Sequence, residues 1–314
     1  YLAAQDRLFL YPEGRASKLR QAVADHHGLE AERLIFGNGS DEVFALLNQT
    51  YLSEGDNIVV GQYGFLAYRI SAKACGAEVL YAPEPDFRFD VDAALAQVND
   101  RTKLVYVSNP SNPTGSWNTP DEIARLHAGL PERVILVVDE AYAEYVREPT
   151  WAPAFDLARG SRNVVVTRTF SKIHGLAGLR LGFGYAPIEV CEAVDRIRLP
   201  FNTSIPAQDA GIAALADAEH VKASADLVQQ WVPRMTQLIR GFGFEVFPSA
   251  GNFVLVRFPD EARSAKAADA FLQSKGIIVR AVGGYGLPDC LRVTVGTEDQ
   301  NRAVLDALSE FAAS

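Results

Sequence analysis

The sequence predicts an α/β fold, in which a large unit with a mostly parallel seven-stranded sheet between helices precedes a smaller C-terminal α+β unit. Three observations lead there. From about residue 33, short apolar runs alternate with helical stretches, the pattern of βαβ units. Several of those runs are apolar throughout, as strands covered on both faces must be. After residue 205 the texture changes, and a long Ala-rich amphipathic stretch leads into a few further strands and helices. A chain of 314 residues accommodates two domains at ~100–200 residues each.

Seven runs read as the strands of the large sheet: RLIF (33–36), NIVV (57–60), EVLYA (78–82), KLVYVS (103–108), RVILVVD (133–139), NVVVTR (163–168) and LGFGYA (181–186). Helices separate them. One opens at Thr119, a good N-cap, with Pro120 at its first position. A long helical stretch is expected over 207–241, stopped by Gly241 and Gly243. NFVLVRF (252–258), GIIVRAV (276–282) and CLRVTVG (290–296) then read as strands, with helices near 264–275 and 298–312. The expected division is an N-terminal segment over 1–16, a large unit over 17–216 and a small unit over 217–314.

Composition narrows the function. A net charge of −9 argues against nucleic acid as a partner, because phosphate backbones call for basic patches. No apolar run is long enough for a membrane span. Cys75, Cys191 and Cys290 are scattered and odd in number, which argues for a reducing, cytoplasmic setting and against a disulfide framework or zinc site. No metal-ligand spacing links the five histidines. His174, two residues after Lys172, is read as a packing or hydrogen-bonding residue and not as a site residue. The chain begins with Tyr1 and not Met, so a preceding segment is expected.

Ligands of a parallel sheet bind beyond the carboxyl ends of its strands, and chemically capable residues recur there. SNPSNPTG (108–115) follows one strand; Asp139 ends the next, with Tyr142 three residues on; TFSK (169–172) follows a third. Taken singly, these are a turn, a cap and a solvated lysine. Their joint occurrence in this order argues for a site containing Asn112, Asp139, Tyr142 and Lys172. GNGSDE (37–42) is neither a dinucleotide fingerprint, since position 42 is Glu, nor a Walker A loop, since it lacks the Gly-Lys-Ser/Thr ending.

Together with GFLAY (64–68), VVDEAY (137–142), TFSKIHGLAGLRLG (169–182) and LRVTVG (291–296), these motifs resemble the fold-type I aminotransferases that use pyridoxal 5′-phosphate (PLP). Within them, the chain is most similar to the histidinol-phosphate aminotransferases. The likeness runs from YPEG (11–14) onward and includes the Lys-x7-Arg spacing from Lys172 to Arg180. It implies that Lys172 carries the cofactor and moves the substrate proton, and that Asp139 faces the pyridine nitrogen. Asn112 and Tyr142 would donate to the ring's phenolic oxygen, and Phe65 would stack on the ring. The phosphate would lie on the backbone N–H groups of Ser40 and Asp41 at a helix start, with Thr169, Ser171 and Arg180 beside it. Tyr11 would reach the cofactor of a partner subunit, implying a homodimer. Arg292 would hold the substrate's anionic group together with Arg280, near Asn112. The implied reaction is transamination of L-histidinol phosphate with 2-oxoglutarate. Aromatic aminotransferases and PLP-dependent threonine-phosphate decarboxylases are the alternatives. The family's Asn-rich N-terminal arm has no counterpart before Tyr11.

Overall fold

The computed structural model describes residues 2–259 and 261–313. Its strands are β1 (Leu34–Gly37), β2 (Asn57–Gly61), β3 (Glu78–Ala82), β4 (Thr102–Ser108), β5 (Ile135–Asp139), β6 (Val164–Thr169), β7 (Gly182–Tyr185), β8 (Glu245–Val246), β9 (Phe253–Arg257), β10 (Arg280–Ala281) and β11 (Cys290–Thr294). Among the described residues they form two sheets. The first has seven strands in the order β1-β7-β6-β5-β4-β2-β3, and the second has four in the order β10-β11-β9-β8. In the large sheet β7 runs against both neighbours, and the other adjacent pairs are parallel.

The apolar runs are explained by burial on both faces. Along β4, Leu104 and Tyr106 enter one core while Val105 and Val107 enter the other. Along β5, Ile135 and Val137 alternate in the same way with Leu136 and Val138. This is the period-2 alternation of a strand. A third core covers the small sheet and includes Trp231, Met235 and Phe311.

The helix at 120–129 begins as expected. Thr119 accepts from the Glu122 N–H while Glu122 returns to the Thr119 N–H, a full capping box. The single helix expected over 207–241 is two helices, Ile205–Ala216 and Ala218–Gly241. Asp217 leaves helical geometry between them, and its carboxylate caps the second by accepting from the His220 N–H. The strand expected over 276–282 pairs only at Arg280 and Ala281, and the short β8 had no sequence signal. No described helix is long and apolar enough to cross a membrane.

Register aligns the ends of the central strands. Ser108 lies opposite Asp139, and Asp139 opposite Thr167. The loops that follow β4, β5 and β6 therefore open at one edge of the sheet.

Candidate active site

The cleft at that edge is centred on Asp139, the last residue of β5, which is only 3% exposed. Tyr68 donates to its Oδ2 at 2.5 Å and Thr167 to its Oδ1 at 3.2 Å. Burial pushes the carboxyl up to about 6, and the two hydrogen bonds oppose that rise. Such a carboxylate is suited to a buried cationic partner.

Lys172 lies in the loop after β6 and lines the same cleft. Its Nζ is 5.4 Å from the centre of the Tyr142 ring. Desolvation lowers its pKa, and the nearby Arg292 adds to that effect. A depressed ammonium gives more of the neutral, nucleophilic amine. Tyr142 is buried edge-on against Phe253, with centroids 5.3 Å apart. Burial pushes its hydroxyl up to about 12, so it remains a donor near neutrality.

Asn112 is held by Arg292, whose Nη1 donates to Oδ1. This leaves the Asn112 amide hydrogens to serve the cleft, which Asn112 lines. Phe65, just before the helix Leu66–Ala74, also lines it.

At the other end of the cleft, Gly39 precedes the helix Ser40–Tyr51, whose first turn has no side-chain cap from Gly39. Early N–H groups of a helix lack intrahelical partners, and Ser40 and Asp41 present them here. Arg180 closes the cradle by pairing with Asp41 at 3.1 Å and reaching Ser171 Oγ at 3.5 Å. Thr169 Oγ1 accepts from the Ser171 N–H at 3.1 Å and so fixes the turn beside it. Two glycines keep the cradle open. A Cβ on Gly39 (φ +77°) would lie 2.6 Å from Arg180 Nη2, and one on Gly182 would lie 2.3 Å from Ser40 N. A small oxyanion fits between helix start, hydroxyl and guanidinium.

Across the small sheet, Arg280 lies directly opposite Arg292 in the β10–β11 register. Opposed residues of an antiparallel pair share a face, so the two arginine side chains leave the sheet on the same side. Both lie near Tyr285 and pull down a hydroxyl pKa that burial raises. Arg292 packs over Phe253 at 4.9 Å, and its buried Nε has no hydrogen-bond partner among the described residues.

The family model "Aminotransferase class I and II" matches residues 2–308. The chain belongs to this family. It is 55% identical over 312 residues to histidinol-phosphate aminotransferase 1 of Caulobacter vibrioides, covering 99% of this chain and 87% of that protein. It is 49% identical to the histidinol-phosphate aminotransferase of Maricaulis maris, with coverage of 98% and 86%. Among solved structures it is similar to histidinol-phosphate aminotransferase from Sinorhizobium meliloti in complex with pyridoxal-5′-phosphate, with a TM-score of 0.94, 30% identity and coverage of 99% and 85%.

Ten of the expected cofactor residues of this aminotransferase line the one cleft: Ser40, Asp41, Phe65, Asn112, Asp139, Tyr142, Thr169, Ser171, Lys172 and Arg180. Tyr11 lies elsewhere. It is 81% exposed and stacks on Phe201 at 4.9 Å. Leu8, Phe9 and Leu10 are exposed next to it. His174 packs against Phe170 with ring centroids 5.0 Å apart. Sequence reasoning missed Tyr68, Thr167 and Tyr285. Tyr68 stood inside a quoted motif, three residues after Phe65, but only the folded chain brings its hydroxyl to Asp139.

Proposed function

We propose that this chain catalyses PLP-dependent transamination of L-histidinol phosphate with 2-oxoglutarate, giving imidazole-acetol phosphate and glutamate. The observation that carries the substrate assignment is the Arg280–Arg292 pair, in which Arg292 reaches the cleft-lining Asn112 and its Nε has no hydrogen-bond partner among the described residues. Histidinol phosphate has no α-carboxylate, so its phosphate is the anion to be anchored. Two forked donors suit a phosphate dianion.

The cleft fits PLP, which supplies an electron sink for the pair left at the substrate Cα. Residues 17–216 are taken as the unit that holds it and 217–314 as the unit that carries the substrate arginines. Lys172 anchors the cofactor and, once freed by substrate, moves the Cα proton on its Nζ. Asp139 holds a proton at the ring nitrogen by its charge. Asn112 and Tyr142 donate to the phenolic oxygen, and Phe65 covers the ring. Ser40, Asp41, Thr169, Ser171 and Arg180 hold the phosphate. Arg292 also holds Asn112 in place, which joins substrate anchoring to ring contact. The exposed strip Leu8–Tyr11 beside Phe201 supports a homodimer in which Tyr11 serves the partner's cofactor. A cytoplasmic location suits a biosynthetic enzyme of this kind.

The test compares two arginine variants across donors. Arg280→Ala should lose roughly ten- to a hundredfold in kcat/KM with histidinol phosphate, the loss expected for one charge-assisted hydrogen bond. It should lose clearly less with phenylalanine or tyrosine. Arg292→Ala should impair every donor and acceptor. Unchanged histidinol-phosphate turnover in Arg280→Ala, or a wild-type preference for phenylalanine, would move the assignment to an aromatic aminotransferase.

Tyr68 supplies a further prediction. Its hydrogen bond is the largest influence keeping Asp139 ionised. Tyr68→Phe should raise the pH below which cofactor affinity declines by about one to two units, since a charge-assisted bond is worth ~1.5–3 kcal/mol. Titrating cofactor into apo-protein from pH 5 to 8 measures this. Superimposable profiles would mean that Tyr68 only fills space.

A further inference from the structure

Glu84 is a buried carboxylate that the chemistry above leaves unused. It stands two residues after β3 and is 6% exposed. Its Oε2 accepts from the Tyr63 N–H at 2.7 Å. That backbone hydrogen bond opposes a burial that pushes the carboxyl up to about 7. A buried carboxylate is a costly way to fill space, so its one side-chain hydrogen bond among the described residues calls for an explanation. Gly61 gives it room, because a Cβ there would lie 2.2 Å from Glu84 Oε1.

The contact falls on a loop that matters. Tyr63 precedes Phe65 by two residues, and Phe65 lines the cofactor cleft. The Glu84 segment grips this loop a second time. Asp86 and Phe87 both have positive φ, 55° and 61°, a conformation that residues other than glycine rarely adopt. Phe87 lies against the Tyr63 ring with centroids 5.1 Å apart, and its carbonyl accepts from Ser116 Oγ at 2.7 Å. Tyr63 and Phe65 in turn pack on the apolar cluster that contains Tyr285, the neighbour of the two substrate arginines. One segment outside the cleft therefore touches the loop bearing the ring-covering residue and the turn bearing Asn112.

We propose that Glu84 is a positioning residue, which fixes the 61–65 loop through the Tyr63 N–H and so sets the Phe65 ring against the cofactor. The proposal rests on the aminotransferase reading for what Phe65 faces. The acceptor oxygen matters here and the charge does not, so a glutamine can take over the role.

The experiment uses the full chain with PLP and measures three things: thermal midpoint, cofactor Kd, and the visible circular dichroism of the bound cofactor. The last reports how rigidly the ring is held in its chiral site, which a space-filling role would not move. Glu84→Ala should weaken cofactor binding roughly three- to tenfold, the effect of one net hydrogen bond, and diminish the visible band. Gly61→Ala, which displaces the carboxyl without removing it, should do the same. Glu84→Gln should restore both band and affinity. A Glu84→Ala protein with wild-type Kd and band overturns the proposal. So does a Glu84→Gln protein as impaired as Glu84→Ala, since the charge and not the acceptor would then matter. A wild type that binds no PLP would sink the functional reading as well, because Phe65 would then face no cofactor.

Discussion

Lys172→Ala is expected to eliminate the visible absorbance of the lysine-bound cofactor and nearly all turnover. In the proposed mechanism the amine would have two duties, as covalent anchor and as carrier of the Cα proton. Loss of a positioned acid–base group alone costs typically ~10²–10⁴-fold, and loss of the anchor adds to that. Two observations favour Lys172 as the proposed reactive lysine. It lines the cleft beside Asp139 and Tyr142, and desolvation favours its neutral form. Lys103, by contrast, is ion-paired with Asp56 at 3.6 Å. Borohydride reduction of the holoenzyme followed by peptide mapping should place the label on Lys172. Label on Lys103 or Lys73 would overturn the assignment.

Asp139→Ala should lower turnover by roughly two to four orders of magnitude with the fold retained. In the proposed role the carboxylate would be the counter-charge of the ring nitrogen, and removing one partner of a buried pair typically costs ~3–5 kcal/mol; each ~1.4 kcal/mol of barrier is tenfold in rate. Without cofactor the same carboxylate is a liability. Its folded pKa, about 6, lies above the ordinary 3.8. Its contribution to stability is therefore full below 3.8 and lost as pH rises through 6, a difference of about 3 kcal/mol. Cofactor-free wild type should lose stability relative to cofactor-free Asp139→Asn across that window, as measured by thermal melts between pH 4 and 7. Parallel curves, or near-normal turnover in Asp139→Ala, would make Asp139 a structural residue.

Local signals were enough for much of this molecule. The strand EVLYA (78–82) was legible to the residue although it is the edge of the large sheet and leaves Glu78 and Tyr81 exposed, because its run of branched and aromatic residues favours extended chain. The Thr119 cap was legible because it depends on residues three apart. The break at Asp217 was not, since a lone Asp in an amphipathic stretch is tolerated on a helix surface and only its turn toward the His220 N–H reveals a cap. The strand around Arg280 shrank to two residues, which pair with Arg292 and Leu291 of β11; apolar patterning marks a strand but not how much of it finds a partner. The cleft residues at strand ends were legible as a set. Tyr68 and Glu84 were not, because each acts through a partner far along the chain: 71 residues for Tyr68 and Asp139, and 21 for Glu84 and Tyr63.

The facing arginines make the solvent part of the enzyme. Like charges directly opposite on a sheet are destabilising, and Arg280 stands directly across from Arg292. Any oxyanion that settles between them relieves that repulsion and binds the folded chain alone. If the pair is the proposed substrate anchor, inorganic phosphate or sulfate in a buffer would then be a ligand too. At a concentration one hundred times its Kd, such an anion adds ~2.7 kcal/mol to apparent stability while competing with the substrate for its anchor. Melting temperatures and Michaelis constants of this protein are therefore linked through the choice of salt.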